Sequence, residues 1–157
     1  MGKEHHYHTQ LRWVGNRGEG TSHYRAYDRD HVLSAGSKPE IPGSSDPSFR
    51  GNPERYNPEE LFVASLSSCH MLWYLHLCSV NGVVVVDYRD SAEGIMQEAT
   101  DGSGHFSAVI LRPAVVVTDA GMQQKAEALH HEANKFCFIA NSVNFPVRHE
   151  PLVTVAS

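Results

Sequence analysis

The order of elements legible in this 157-residue sequence predicts an α+β fold, with antiparallel sheets wrapped around a central buried helix. Three observations predict it. Strand-like runs come in groups and do not alternate one-to-one with helices, which excludes a doubly wound sheet. The segment "NPEELFVASLSSCHMLWYLHLC", residues 57–78, is apolar on nearly every side of a helix, so sheets or a second subunit must cover it. A composition of 41% hydrophobic and 20% charged residues suits one domain, 1–157, able to bury a core without disulfide staples.

Each element has its own signal. "HHYHTQLRWVG" alternates weakly and reads as a first strand ending at Gly15. "NRGEGT" is a glycine-bearing turn, and "SHYRAYDRDHVLS" reads as strand, turn, strand. Residues 35–56 carry four prolines and read as one long loop, the kind that binds ligands or covers a partner. The central helix follows. Asn57 suits its N-cap, Pro58 its first position, and Glu59 and Glu60 the positive end of its dipole. Leu61, Phe62, Ser65, Leu66, Cys69, Leu72, Trp73 and His76 then repeat at helical spacing. "VVVVDYRDSAEGIMQEA" and "HFSAVILRPAVVVT" are β-rich runs joined as a hairpin by "TDGSG". "DAGMQQKAEALHHEANKF" is a second helix with Asp119 at its N-cap, and "FPVRHEPLVTVA" closes the chain as a strand.

Composition narrows function. The net charge is -5 without any Lys/Arg block, so nucleic acid and anionic membranes are poor partners. No uninterrupted apolar run reaches the roughly 18 residues that span a bilayer. "MGKEHHYHTQ" lacks the apolar stretch of a secretion signal, and His6 stands where a myristoylation motif wants Ser or Thr. A cytoplasmic address is expected. In that reducing compartment three cysteines do not make a structural disulfide framework.

Those cysteines are the chemical candidates. A cysteine in an apolar helix usually serves as a small hydrophobe, and Cys78 near the helix end fits that role. Cys137, at the end of the second helix, has less need to fill a core. Position alone leaves Cys69 open between filler and reactive thiol. The 11 histidines invite a metal, but no HxxxH or CxxC spacing occurs. His70 and His76 do not share a helical face, and His6 and His8 form a pair without a third ligand. Neither a metal nor another cofactor is expected.

"NPEELFVASLSSCH", followed some 68 residues later by a cysteine and "IANSVNFPV", resembles the osmotically inducible protein C and organic hydroperoxide resistance family. "RWVGNRGEGT" resembles its first hairpin, so the similarity covers nearly the whole chain. The departures are Phe138 where the family commonly has proline, "RGNPERY" in place of a glycine-rich approach, and His70 where an aromatic is frequent. They mark a divergent member. The resemblance implies an intertwined homodimer that reduces organic hydroperoxides with a dithiol such as dihydrolipoamide. It implies Cys69 as the peroxidatic thiol, Cys137 as its resolving partner, and Glu59 as the carboxylate that holds an activating arginine.

The chemistry needs that arginine. Only a thiolate attacks a peroxide oxygen, and an apolar setting keeps a thiol protonated unless a cation opposes it. An arginine stays charged at any working pH and would also stabilise the departing alkoxide. Glu59 stands about 15 Å along the helix from Cys69, too far for proton transfer but bridgeable by an arginine. By resemblance, Arg17 sits where the hydroperoxide-resistance branch of the family carries its arginine, Arg50 lies close to where the osmotically inducible branch carries its own, and Arg55 is a third choice. Arg50 is favoured, because Phe49 and Tyr56 beside it could wall an apolar pocket. A non-enzymatic redox sensor or small-ligand binding protein on the same scaffold is the alternative.

Overall fold

Helix α1 runs from Pro58 to Val80 in the computed structural model, which describes residues 2–157. Its start is fixed by reciprocal hydrogen bonds. Asn57 Oδ1 accepts from the Glu60 N–H at 2.9 Å, and Glu60 Oε1 accepts from the Asn57 N–H at 3.0 Å. This capping box satisfies two groups that a bare helix end leaves orphaned. The chain gathers into two compact units, Met1–Leu61 and Phe62–Ser157, so the first turn of α1 belongs to one and its remainder to the other.

In the first unit, β1 (Gln10–Trp13), β2 (His31–Ser34) and β3 (Ile41–Gly43) form an antiparallel meander. His6 and His8 precede β1 and lie on no strand. Residues 22–30 form turns in place of the expected strand, held in part by Arg29, whose guanidinium lies over Tyr27 at 3.9 Å and donates to the Tyr24 and Tyr27 carbonyls. The expected long loop is shorter than its prolines suggest. It contains β3, which pairs through backbone groups that composition does not reveal, and a 3-10 turn at Pro47–Phe49 capped by Asp46. Arg50 ends that turn in the left-handed region, φ 64°, and Gly51 follows where an added Cβ would lie 1.5 Å from the Ser45 carbonyl oxygen.

In the second unit the two β-rich runs split. Each breaks in its middle, giving β4 (Val85–Asp90), β5 (Glu93–Glu98), β6 (Gly104–Leu111) and β7 (Pro113–Val117). β5 and β6 make the expected hairpin, whereas β4 pairs with β7 in another sheet. The final strand is also two: β8 (Val147–His149) adds in parallel to β6, and β9 (Leu152–Val155) in parallel to β7. Two three-stranded sheets result, β4-β7-β9 and β5-β6-β8. Asp119 caps a 3-10 turn at Ala120–Met122, and α2 (Gln123–Phe136) continues from it.

The core of this unit has two parts. One gathers Tyr74 and Cys78 of α1, Val115 and Val117 of β7, Val153 of β9 and Ala126, Leu129 and Ala133 of α2. The other packs Leu66 of α1 on Val109 and Leu111 of β6. The buried stripe of α1 is therefore Leu66, His70, Tyr74 and Cys78, each four residues from the last. The stripe expected through Leu72 and His76 is not the buried one. Leu72 is 61% and Val80 63% exposed, because one chain supplies packing for only one side of an all-round apolar helix. By length and composition α1 is also apolar enough to cross a bilayer, which counting uninterrupted apolar runs had missed. Here its buried stripe packs on protein.

Candidate active site

Cys69 lies at mid-helix in α1, half-buried, on the side that continues into Leu72, Trp73 and His76. α2 ends at Phe136. Cys137 then turns the backbone out of helix, its N–H still bound to the Ala133 carbonyl at 3.0 Å. A further 3-10 turn, Ala140–Ser142, follows at once, and the Ala140 N–H points at Cys137 Sγ, 3.5 Å away. These local features place the Cys137 thiol near that of Cys69, close enough for Cys69 to raise its pKa. Burial pushes the Cys137 thiol up to about 11; the Ala140 N–H opposes this and the neighbouring Cys69 adds to it. Both cysteines are free thiols.

Cys78 differs in its neighbours and not in its burial. Both it and Cys137 are 1% exposed, so the end of α2 fills core as well, against the expectation from its place at a helix end. Cys78 sits beside Tyr74, whose hydroxyl donates to the Ala126 carbonyl at 2.8 Å. Burial raises its pKa, with Tyr74 partly opposing. It is core filler, as its position suggested.

Between these thiols lies a feature that sequence spacing did not reveal. His70 and His130, 1% and 0% exposed, have ring nitrogens 3.0 Å apart. The His130 ring stacks on Tyr74 at 3.8 Å, and His149 lies 5.9 Å from His70 and 6.1 Å from His130. His130 Nε2, His149 Nδ1 and the Tyr88 hydroxyl are shielded and have no partner among the described residues. Burial drives His70 down to about 4 and His130 to about 3, so both are neutral near pH 7. His149 is also lowered, by burial and then by His131. The i, i+4 relation of Leu66, His70, Tyr74 and Cys78 was the available signal; His130 and His149 reach His70 only through tertiary contact. Among the described residues no group of three or more His, Cys, Asp or Glu side chains is arranged to hold a metal ion.

The charged candidates belong to the first unit. Glu59 is half-buried, and its Oε2 is shielded from solvent without a hydrogen-bond partner among the described residues. Arg17 donates to the Arg25 carbonyl and lies 3.8 Å from Asp28. Arg50 lies 5.8 Å over the Tyr24 ring. Arg55 is committed to Asp30 at 3.3 Å and to the His31 carbonyl at 3.1 Å. The cavity at Arg50, about 310 Å³, is lined by Asp28, Arg29, Asp30 and Asn52 and is polar. Phe49 and Tyr56 do not wall it; they are 41% and 58% exposed.

Apolar surface occurs instead beside the thiols. Trp73 stacks on Phe136 at 5.3 Å and meets Phe138 edge-on at 5.6 Å, so residues flanking Cys137 touch the helix that carries Cys69. A cavity of about 510 Å³ opens among Phe62, Phe106 and Phe145, with His105, Ser142 and Asn144 adding polar groups. The chain segment after Cys137 supplies one of its walls.

Comparison with known proteins matches the sequence and the fold to others. Residues 51–151 fit the family model described as OsmC-like protein. The chain is 33% identical to an OsmC-like protein of unknown function from Vibrio cholerae, whose structure superposes with a TM-score of 0.84 over 95% of this chain and 100% of that one. It is 24% identical to the uncharacterized protein YmaD of Bacillus subtilis, over 89% of this chain and 87% of that protein. The organic hydroperoxide resistance protein OhrB of Bacillus subtilis shares the fold, at 15% identity and a TM-score of 0.61 over 95% of this chain and 98% of that one.

Proposed function

The chain belongs to the OsmC-like protein family, and from that premise we propose that it is a cysteine-based peroxidase for organic hydroperoxides. The observation that carries the proposal is the proximity of the Cys69 and Cys137 side chains, one on α1 and the other at the end of α2. In the first step the Cys69 thiolate attacks the terminal oxygen of ROOH. The O–O bond breaks, the sulfur becomes a sulfenic acid, and the alkoxide leaves as ROH after taking a proton. In the second step the Cys137 thiol attacks the sulfenic sulfur, forming the 69–137 disulfide and releasing water. A dithiol, dihydrolipoamide or a lipoylated protein, then reduces the disulfide by exchange and is itself oxidised.

Arg50 or Arg17 is assigned to stabilising the thiolate and the alkoxide, with Glu59 anchoring that arginine. The shielded, unpartnered Glu59 Oε2 supports this, because a carboxylate oxygen withdrawn from water calls for a cationic partner. The apolar surface of Leu72, Trp73, Phe136 and Phe138 favours an organic substrate over hydrogen peroxide and supports an intertwined homodimer as the working form. The whole 157-residue chain acts in this reading as one thiol-peroxidase domain, in the cytoplasm.

The deciding experiment measures peroxide consumption with dihydrolipoamide as donor. Cumene hydroperoxide should be consumed over many turnovers and faster than hydrogen peroxide. One oxidation equivalent per chain without turnover would instead identify a redox sensor on the same scaffold.

A further inference from the structure

The buried histidine cluster is not needed for the thiol chemistry, yet it joins the two helices that carry the thiols. His70 is the residue after Cys69 on α1. His130 is seven residues before Cys137, about two turns back along α2. Their 3.0 Å contact is a polar link between the helices, and the Tyr74 hydroxyl adds a second through the Ala126 carbonyl. We propose that His70 and His130 are a positioning pair that holds the Cys137 end of α2 against Cys69, and that protonating the pair loosens this hold. The proposal rests on the reading of Cys69 and Cys137 as redox partners.

The argument is one of proton count and surroundings. A bond between two imidazole nitrogens needs one donor and one acceptor, so two imidazolium rings cannot make it. The groups facing the pair do not welcome charge. His149 faces both rings from β8, with His131 acting on it in turn. Tyr74 covers His130, and Tyr88, on β4, carries an unpartnered hydroxyl nearby. The anion facing His70 is Asp90 of β4, whose oxygens already accept from the Ser67 hydroxyl and, at 2.6 Å, from the Arg112 N–H. A proton on His70 therefore finds partial compensation, and one on His130 adds a second cation beside it. Separation of the rings is the relief available, and it moves α2 relative to α1.

The test needs no peroxide. Dipyridyl disulfide reacts with Cys69 to give a mixed disulfide and one thiopyridone. The Cys137 thiol then displaces a second thiopyridone, closing the 69–137 bridge, and the two thiol protons leave on the two thiopyridones. The first-order rate of the second release reports how closely Cys137 is held. His130→Leu, which strands the His70 nitrogen, should slow closure on the order of tenfold at pH 7.5. His130→Asn places an amide where Nδ1 stood and does not titrate, so closure should stay within about threefold of wild type. As pH falls through 4 towards 3, where the second ring also takes a proton, wild type should lose closure rate beyond the loss due to thiol protonation, and His130→Asn should not. A folded His130→Leu that closes as fast as wild type, or a His130→Asn that keeps the extra acid loss, overturns the proposal. If His130→Leu does not fold, the His130→Asn pH profile decides. If wild type releases thiopyridone without forming the 69–137 bridge, the redox-pair reading falls and this inference with it.

Discussion

Cys69 and Cys78 stand nine residues apart on one helix and have opposite surroundings. Cys69 is half-buried, lies near a second thiol and borders exposed apolar side chains. Cys78 is sealed in the core cluster with Tyr74, Val115 and Val117. The helix places them on different sides, and the end of α2 reaches only one of them. The two thiols are therefore distinguished by what packs on the helix around them and not by the helix itself.

The sharpest break of that comparison is removal of one thiol at a time. Cys69→Ser should abolish dithiol-driven turnover, whereas Cys137→Ser should permit one oxidation and then climb to sulfinic acid under excess peroxide. Mass spectrometry of the peroxide-treated protein should find a 69–137 bridge; a 69–78 bridge would erase the distinction. Along a rigid helix those two Cα atoms are about 13 Å apart, beyond the roughly 7 Å that a disulfide spans.

Acid should produce the next largest effect, on the core that separates the two sites. His70 and His130 have folded pKa values near 4 and 3, against an ordinary value of 6.5. The unfolded chain thus binds protons first as pH falls. The stability of the neutral cluster is fully present above pH 6.5 and is lost progressively down to the folded values. The loss should be on the order of several kcal/mol, read from urea midpoints across that window. A midpoint unchanged between pH 6.5 and 4 would show that the histidines are not held neutral.

Removing the activating charge ranks third. Whichever of Arg50→Ala and Arg17→Ala removes the working arginine should slow Cys69 oxidation on the order of 100-fold, and the other far less. If both variants react as wild type does, the thiolate is stabilised by some other group. The smallest effect belongs to Cys78. Cys78→Ala should leave turnover within about twofold and lower stability by about 1 kcal/mol, since it removes one small buried atom.

The parts of this molecule legible in its sequence are those that local chemistry decides. Asn57, Pro58 and Glu60 announce the start of α1 without reference to anything distant. The "TDGSG" turn announces the β5–β6 hairpin. The choice of Cys137 as partner came from resemblance; the one local argument, that a helix end has less need of core filler, does not hold, because Cys137 is buried. Hidden were the features that depend on who packs where. β4 pairs with β7 across the hairpin, and β3 emerges inside a proline-rich stretch because β2 offers it an edge. The buried stripe of α1 passes through His70 because His130, 60 residues away, supplies the matching ring nitrogen. An all-round apolar helix carries no internal mark of which face that will be.

The two parallel edges carry a consequence for how the chain is made. β8 and β9 are joined by only Glu150 and Pro151, yet they finish different sheets, one beside β6 and the other beside β7. Neither sheet has its third strand until the chain has passed α2. During synthesis both sheets must wait with open edges while the intervening helix is laid down, and both then close within a few residues of each other. Such a chain should gain its protection late and almost at once, which is the period when unpaired strands are most exposed to other chains. Truncation after Phe145 would leave two open edges, not one.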